Sequence, residues 1–308
     1  MFDADDLAVF PVADWIQTGV EWLSFNFRPV FVAIKWPIES ILMFNQDVMQ
    51  SVPFPVMVIA ITLAAYLLAT RSTAVFTAVA LIVIAGLGVW VEAMTTLSLI
   101  MTAIVLCTII GIPIGIWSAK SDRVWSVVRP ILDVMQTTPT FVYLVPVVML
   151  FGVGTVPGEV AVIISAVPPL IRFTNIGIRQ VDIEIVEAGH AFGADPRQLL
   201  WEIQLPLAIP TILGGLNQTV LTAMVMSVVV AMIGAEGLGL VVMQGLGRLD
   251  VGSAAIGGIA IVLLAMILDR ITQEMATKKS ATRTPSAMSK ALKRLLFPDK
   301  LEKAANLS

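Results

Sequence analysis

The sequence predicts an all-α integral membrane protein with several membrane spans, and composition and hydropathy carry that prediction. Of the 308 residues, 57% are hydrophobic and 13% are charged, about half the charged share of an ordinary soluble domain. With a mean hydropathy of +0.91, the 22 acidic and 19 basic side chains are too few to cover a water-exposed protein of 33.1 kDa. The same numbers exclude a disordered chain. A net charge of −3 and a pI of about 5.2 argue against nucleic acid as a partner.

The single cysteine and the single histidine restrict the chemistry. Cys107 excludes an internal disulfide and any multi-cysteine metal site, and His190 alone argues against a site built on histidine. The sequence contains no phosphate-binding G-x-x-x-x-G-K-[ST] loop, no G-x-S-x-G elbow and no H-E-x-x-H helix. We therefore predict no catalytic residue, no metal ligand and no enzymatic activity in this chain.

Seven apolar segments are candidates for membrane spans, each of which takes about 20 residues. They cover residues 52–70, 73–91, 94–117, 130–151, 160–174, 207–233 and 253–268. The third, fourth and sixth are the safest by length. The short connection at residues 71–72 predicts a helical hairpin, and Pro168 and Pro169 allow a kinked or broken fifth span. Gly111 and Gly115 form a small-residue motif for helix packing in the third span.

Lysine and arginine predict the orientation, because cytoplasmic loops carry an excess of both residues. With seven spans, one side of the membrane receives nearly all the basic residues of the short loops, and it also receives the basic C-terminal tail. The other side receives Arg28, Lys35 and Arg248. The C-terminus is therefore predicted to be cytoplasmic and the N-terminus external, an agreement that an even number of spans would break.

The two ends of the chain differ from its apolar centre. Residues 1–51 mix acidic side chains, tryptophans and apolar residues at near-helical spacing, which predicts an amphipathic extension on the external face, in contact with lipid. A further span near residues 25–44 is the alternative, although the charges of Arg28, Lys35 and Glu39 make it costly. The transmembrane domain is assigned to residues 52–270, and residues 271–308 to a basic cytoplasmic tail.

Uncharged polar residues lie within the fourth and sixth predicted spans. Buried amides and hydroxyls need hydrogen-bond partners in hydrocarbon, so these residues either pack helices together or line a path for a polar solute. The candidate pathway residues are Gln136, Thr137, Phe141, Tyr143, Asn217 and Gln218. The spans carry almost no charge; Asp133 lies near the start of the fourth span, and Glu92 and Glu159 fall at span ends. This argues against an ion-coupled carrier, which usually keeps ionisable groups at the midplane.

The longest internal connection, residues 175–206, is predicted to contain two short helices on the cytoplasmic side. The first covers residues 182–192 and is followed by Gly193, which can adopt the positive φ of a helix end. Asp195 predicts the N-cap of the second helix, with Pro196 as its first residue and Gln198 as capping-box partner.

The second helix is expected to present Leu199, Leu200 and Ile203 on one face and to end at Pro206. Such a helix pair is suited to docking in a partner's groove. It is equally suited to covering the underside of the bundle, and the residues alone leave these two alternatives open.

This connection resembles the EAA loop of ABC-importer permeases, whose pattern is E-A-A, three residues, G, nine residues and I-x-L-P. The matching positions are Glu187, Ala188, Gly189, Gly193, Ile203, Leu205 and Pro206. The one departure is Gly189, where the pattern has alanine. Glycine preserves a close approach but costs up to about 1 kcal/mol of helix stability.

The similarity extends to ILDVMQTTPTFVYLVPVVMLFG, PPLIRFTNIGIRQV and GLGRLDVG, which look like the permease subunits of glycine betaine/proline betaine importers. The resemblance covers residues 52–270 and implies a type I ABC importer fold in a bacterial inner membrane. It implies that two permeases form the pathway and that a periplasmic binding protein delivers the substrate. Two separate ATPase subunits would hold ATP and Mg²⁺, so no cofactor is implied in this chain.

The resemblance also implies roles for individual residues. The EAA loop becomes the coupling helix, with Glu187 as a charged contact to the ATPase. The predicted external loop, residues 234–252, is the candidate contact with the binding protein through Glu236, Arg248 and Asp250, or else a glycine-rich surface turn. Betaines are the favoured substrates, with choline, carnitine and trimethylamine N-oxide as further candidates. The alternative function is a non-transporting membrane scaffold or sensor that holds a cytoplasmic partner.

Overall fold

The computed structural model describes residues 12–281, and this part of the chain is entirely helical. The first helices are α1 (Val12–Asn26), α2 (Arg28–Ser51), α3 (Phe54–Leu68), α4 (Arg71–Gly86) and α5 (Trp90–Lys120). The next are α6 (Asp122–Thr137), α7 (Leu144–Phe151), α8 (Thr155–Arg179), α9 (Ile183–Ala191) and α10 (Pro196–Gln198). A π-helical turn (Leu199–Gln204) leads into α11 (Leu205–Val229) and a 3₁₀ turn (Val230–Ile233), followed by α12 (Leu238–Gly247) and α13 (Val251–Ala281).

Four helical stretches in the described part are long and apolar enough to cross a membrane: Trp90–Lys120, Thr155–Arg179, Pro196–Ile233 and Val251–Lys278. The bent pair α2 and α3 meets the same criterion as a unit and raises the number to five. The helices α4 and α12 are apolar but shorter. The third, fifth, sixth and seventh predicted spans thus fall within long helices, while the total of seven and the orientation stay predictions.

The predicted fourth span, residues 130–151, is wrong as a single helix. The helix α6 ends at Thr137 and α7 begins at Leu144. Thr138 has an extended ψ of 128°, which is the conformation that the following Pro139 imposes on its predecessor. The polar run therefore lies at a break between two helices instead of inside one.

The fifth span is longer and more regular than its two prolines suggested. The helix α8 runs unbroken through Pro168 and Pro169 for 25 residues. It lies between α5 and α11, and Thr219 of α11 donates a hydrogen bond of 2.9 Å to the carbonyl oxygen of Ala166 beside the prolines. Packing on both sides supports the helix where proline removes its own hydrogen bonds. The longer helix also places Glu159 inside the bundle, with 0% of its surface exposed.

Small residues bring α5 and α8 close together, as the predicted packing motif requires. A Cβ atom added at Gly115 would lie 2.5 Å from Cβ of Thr174 and 3.0 Å from the carbonyl oxygen of Ile171. One added at Gly111 would lie 3.2 Å from a terminal methyl of Leu170. The two helix backbones therefore approach more closely at Gly115 than any larger residue would permit.

The helices α3 and α4 form the predicted hairpin, and α13 holds its turn. Thr70 caps α4 by accepting from the backbone N–H of Thr73 at 3.3 Å, and the carboxylate of Glu274 accepts from the hydroxyl of Thr73 at 2.6 Å. The ammonium of Lys278 lies 3.4 Å from the carbonyl oxygen of Ala69 at the end of α3. The carboxylate of Glu274 thus lies at the N-terminus of α4, and the ammonium of Lys278 lies at the C-terminus of α3. The helix dipoles favour both placements.

The boundary between the transmembrane domain and the tail, placed at residue 270, falls inside α13, which continues as one helix through Ala281. The rest of the predicted basic tail lies outside the described residues. The first 11 residues of the predicted N-terminal extension also lie outside them.

The described part of the N-terminal extension is helical, but α2 is not a detached surface helix. The side-chain amide of Asn45 donates to the hydroxyl of Thr102 at 2.9 Å, and that of Gln50 donates to Thr95 at 3.1 Å. The helix α2 therefore packs against α5 over two turns. A bend of 114° then leads into α3, at Val52, which adopts the extended conformation expected before Pro53. The external position of this segment stays a prediction.

We expect Gly115→Val to lower the thermal unfolding temperature of the purified chain, because the added side chain has no space between α5 and α8. Overpacking of this kind costs about 1–3 kcal/mol. The matched control is Gly258→Ala in α13, where an added Cβ meets no atom within 4 Å. Unfolding in detergent, followed by circular dichroism, measures both variants. Equal unfolding temperatures for the two variants would contradict the close α5–α8 contact.

Candidate functional site

The connection between α8 and α11 consists of two helical segments joined by a turn. Asp182 caps α9 by accepting from the backbone N–H of Glu184 at 3.0 Å. At the other end, Gly193 has a φ of +81° and donates to the carbonyl oxygen of His190 at 2.9 Å. Ala194 donates to the carbonyl oxygen of Gly189 at 3.0 Å. These two bonds form a Schellman motif, which confirms the predicted helix end at Gly193.

The second segment begins as predicted but does not end at Pro206. The backbone N–H of Asp195 donates to Oε1 of Gln198 at 3.0 Å, the return bond of a capping box. The helix then widens into the π-helical turn and continues into α11. A proline ring crowds the carbonyl group four residues earlier, here that of Glu202, which lies inside the widened turn. The π-helical turn thus accommodates Pro206 without a break, and the expected helix end is wrong.

The two segments pack on each other through Gly189, the residue that departs from the EAA pattern. A Cβ atom added there would lie 2.8 Å from Cδ1 of Leu199 and 2.9 Å from Cδ1 of Ile203. Leu199 and Leu200 are buried, so they do not form the exposed apolar face that the sequence predicted. The space that a docking surface would offer to a partner is filled here by the loop's own side chains.

A different set of residues is exposed on this connection. Glu187 and Ala188 of α9 face outward, as does Gly193, whereas Leu205 and Pro206 are half-buried. Phe192 is 92% exposed and Trp201 is 61% exposed. Sequence reasoning missed these two aromatic residues, which lie outside the positions of the EAA pattern. We call Glu187, Ala188 and Phe192 the loop apex.

Polar contacts hold the connection to the bundle. At the end of α8, the guanidinium of Arg179 donates to the carboxylate of Asp122 at 2.7 Å and to the carbonyl oxygen of Ser118 at 2.9 Å. Asp122 begins α6, and Ser118 lies in the last turn of α5. One side chain therefore joins the ends of three helices directly beside the start of the connection.

The candidate pathway residues of the fourth predicted span lie at the break between α6 and α7. Gln136, Thr137 and Phe141 are exposed. The hydroxyl of Tyr143 instead faces α8, where it meets the hydroxyl of Ser165 at 3.1 Å. Asp133 of α6 forms an ion pair with Arg172 of α8. Arg172 was absent from the predicted pathway residues. Of these candidates, Gln136, Thr137 and Phe141 are accessible to a solute, and the hydroxyl of Thr137 already donates to the carbonyl oxygen of Asp133 at 2.9 Å.

The two candidates in the sixth predicted span point in different directions. The side-chain amide of Asn217 donates to the carboxylate of Asp269 at 3.1 Å and accepts from the hydroxyl of Thr272 at 3.0 Å. Both partners belong to α13, so the placement of Asn217 favours helix packing over a pathway. Gln218 is exposed and remains available to a solute.

The predicted external loop is not a glycine-rich turn, because α12 occupies most of it. Gly245 permits α12 to pack tightly on α13, since an added Cβ would lie 2.6 Å from the backbone nitrogen of Ala254. Glu236 precedes α12, whereas Arg248 and Asp250 follow it. The ten residues of α12 separate the two ends by about 15 Å, so the three candidates do not form one cluster.

Arg248 and Asp250 are exposed at the tip of the α12–α13 hairpin. The hydroxyl of Ser253 donates to Asp250 at 2.6 Å, and its backbone N–H donates at 3.1 Å. These two bonds lower the pKa of Asp250, because they stabilise the carboxylate form. The tip therefore carries a fixed negative charge at the start of α13.

The spacing of this connection and the order of the helices agree with one transport family. The profile of the family described as "Binding-protein-dependent transport system inner membrane component" matches residues 111–278. The chain belongs to this family. It is a multi-pass protein of the inner membrane and a component of an ABC transport system.

Several curated relatives align with most of the chain. The glycine betaine/proline betaine transport system permease protein ProW of Escherichia coli (strain K12) is 49% identical over 86% of this chain and 75% of its own. The glycine betaine transport system permease protein OpuAB of Bacillus subtilis (strain 168) is 40% identical over 90% of this chain and 98% of its own. The trimethylamine N-oxide transport system permease protein TmoV of Ruegeria pomeroyi is more distant, at 35% identity over 77% of this chain.

Solved structures show the same fold. A chain of the inward-facing MetNI methionine ABC transporter superposes with a TM-score of 0.55 at 20% identity, over 60% of this chain and 92% of that chain. A second crystal form gives a TM-score of 0.51. The predicted type I ABC importer fold is therefore confirmed.

We expect Gly189→Ala to fold normally. The added methyl group meets only the flexible ends of Leu199 and Ile203, and alanine gains up to about 1 kcal/mol of helix propensity. Gly189→Phe should instead separate the two segments, because no space exists for a ring. Hydrogen–deuterium exchange of residues 183–204 measures the effect. Equal protection of this segment in the phenylalanine variant and the wild type would contradict the packing through Gly189.

Proposed function

We propose that this chain is the permease subunit of an ATP-driven importer of glycine betaine, proline betaine or a related methylated amine. The observation that carries the proposal is the exposed loop apex. It lies within the EAA pattern, and the Schellman motif at Gly193 ends the helix that presents it. The names of the relatives support the substrate class, because those with 40–49% identity are named for glycine betaine transport. One of these, at 42% identity, is named for both glycine betaine and carnitine, whereas relatives named for trimethylamine N-oxide, carnitine or choline alone show 30–35% identity.

The loop apex would transmit the ATPase cycle to the membrane helices. Closure of two ATPase subunits around ATP and Mg²⁺ would move the apex, with Glu187 as the charged contact and Phe192 as the apolar anchor. Because the second segment continues into α11 without a break, the movement would reach the membrane as a tilt of that helix. The chain itself would carry no nucleotide, no metal and no catalytic residue.

A second permease copy would complete the pathway. The residues that this chain leaves open, Gln136, Thr137, Phe141 and Gln218, are uncharged, and an uncharged path suits a zwitterion with no net charge better than an ion. Attraction of the quaternary ammonium group to aromatic faces would come mainly from the binding protein. The hairpin tip with Arg248 and Asp250 would contact that protein on the periplasmic side, and Glu236 would lie below the contact.

Reconstitution with the partner ATPase and binding protein in liposomes tests the function. We expect ATP-dependent uptake of labelled glycine betaine, with competition by proline betaine and weaker competition by choline, carnitine and trimethylamine N-oxide. ATP hydrolysis stimulated by the binding protein without betaine uptake would contradict the substrate class. A chain that binds the ATPase but supports no uptake of any of these solutes would favour the membrane scaffold instead.

We expect Gly193→Val to reduce uptake about tenfold. A valine forced into the left-handed backbone conformation of Gly193 costs the turn about 1–2 kcal/mol of stability. The matched control is Gly193→Asn, because asparagine tolerates positive φ and an added Cβ meets no atom within 4 Å. Uptake and ATP hydrolysis are measured in the same liposomes. If both variants transport at the wild-type rate, the turn at Gly193 is not required for coupling.

We expect Phe192→Ala to weaken association with the ATPase by about 30-fold, because a buried aromatic anchor contributes about 2 kcal/mol to an interface. The control is Val251→Ala, at an 80% exposed apolar residue of the opposite hairpin tip. Titration of the purified ATPase against each variant in nanodiscs gives the two affinities. Equal affinities would remove Phe192 from the interface.

A further inference from the structure

We propose that the cavity between α1, α2 and α7 binds the headgroup of an anionic phospholipid. The cavity has a volume of about 630 Å³. It lies at the end of the bundle where α7 ends and α8 begins, and its lining includes no residue of the loop apex or the hairpin tip. Neither the predicted pathway nor the coupling loop uses any of its residues.

Two cations on one face of α2 supply the charge. Arg28 and Lys35 both line the cavity, and they are seven residues apart, or about 10 Å along a helix. Their flexible side chains can converge on one phosphodiester group between them. Within residues 12–281, neither side chain has a carboxylate oxygen within 4.0 Å. A basic pair that forms no ion pair within the described residues can bind the phosphate of a lipid headgroup.

The lining of the cavity carries one acidic side chain besides the two cations, and its net charge is positive. Glu21 of α1 also lines the cavity and accepts a hydrogen bond from Gln17 at 2.9 Å. With two cations and one carboxylate, the net charge of the lining is +1. A phosphatidylglycerol headgroup, with one negative charge and two hydroxyls, matches this charge, whereas zwitterionic lipids do not.

The walls of the cavity are built and apolar. The hydroxyl of Ser24 meets the carbonyl oxygen of Met149 at 3.4 Å, which joins α1 to α7. The rings of Phe31 and Phe151 pack edge to face, with centroids 5.3 Å apart, which joins α2 to α7. Phe25 is 86% exposed beside them. This lining suits the glycerol backbone and the first methylenes of an acyl chain better than it suits a small solute.

Exposed tryptophans place this segment at the level of lipid headgroups. Trp15, Trp22 and Trp36 on α1 and α2 are all more than half exposed. Tryptophan collects at the boundary between hydrocarbon and headgroups. The phosphate of a lipid at this boundary would therefore lie at the same depth as Arg28 and Lys35.

Native mass spectrometry of the purified full-length chain with added phosphatidylglycerol tests the proposal without any transport assay. We expect Arg28→Gln/Lys35→Gln to weaken binding of the retained lipid about 30-fold, since each cation near a membrane surface contributes about 1 kcal/mol. The charge-matched control is Arg71→Gln/Arg123→Gln, which removes two exposed cations elsewhere and should leave binding unchanged. An equal loss in both double variants would overturn the proposal, because it would indicate a diffuse surface effect.

Photo-crosslinking locates the lipid. A benzoyl-phenylalanine at Phe25 is expected to crosslink phosphatidylglycerol, whereas one at Phe44, also exposed on α2 but outside the cavity lining, should not do so specifically. Three results would overturn the proposal: equal retention of phosphatidylethanolamine, displacement of the lipid by millimolar glycine betaine, or retention that requires removal of residues 2–11. The last result would assign the cavity to the chain's own acidic segment.

Discussion

The close approach of α8 to its two neighbours is the constraint on which the rest of the structure depends. On one side, Gly115 of α5 leaves no room for a larger residue against Thr174. On the other, an added Cβ at Gly215 of α11 would lie 2.5 Å from Cβ of Phe173. In hydrocarbon, such van der Waals contacts replace the hydrophobic effect as the force between helices. Because α8 is fixed on both sides, it can carry two prolines and still provide a firm base for the connection that follows it.

Both ends of that connection are joined to the bundle, which matters for any role in transmission. Arg179 ties its beginning to the ends of α5 and α6, and the π-helical turn makes its end continuous with α11. A movement imposed on the loop apex would therefore tilt α11 before it bent the loop. A π-helical turn is also a weaker point than an α-helix and is common at functional sites, so the bending that does occur should concentrate at residues 199–204.

Local patterns predicted the local structure well, and the errors arose where tertiary contacts decide. The cap at Asp195, the turn at Gly193 and the packing motif at Gly115 followed from residue type and spacing alone. Residue type and spacing did not predict the direction of Leu199, the role of Asn217 or the length of α8. Each of these depends on a neighbour that is distant in the sequence. Pro139 shows the limit most clearly: its effect on Thr138 is local, but the hydropathy of residues 130–151 concealed the break. Asp133 was noted as an isolated charge, and Arg172 gave no signal as its partner until the fold brought α6 to α8.

Some polar side chains of the membrane helices bind a neighbouring helix, and others have no such partner among the described residues. This difference bears on which residues line the pathway. Asn217, Tyr143 and Asp133 each find a partner on a neighbouring helix, which removes the cost of burying them in hydrocarbon. Gln136 and Gln218 have no such partner within the described chain, yet both are exposed on helices that pack against α8. Amides facing lipid would be costly. In the proposed importer, a second copy of the chain would enclose water beside both glutamines, which favours them over Asn217 as pathway residues.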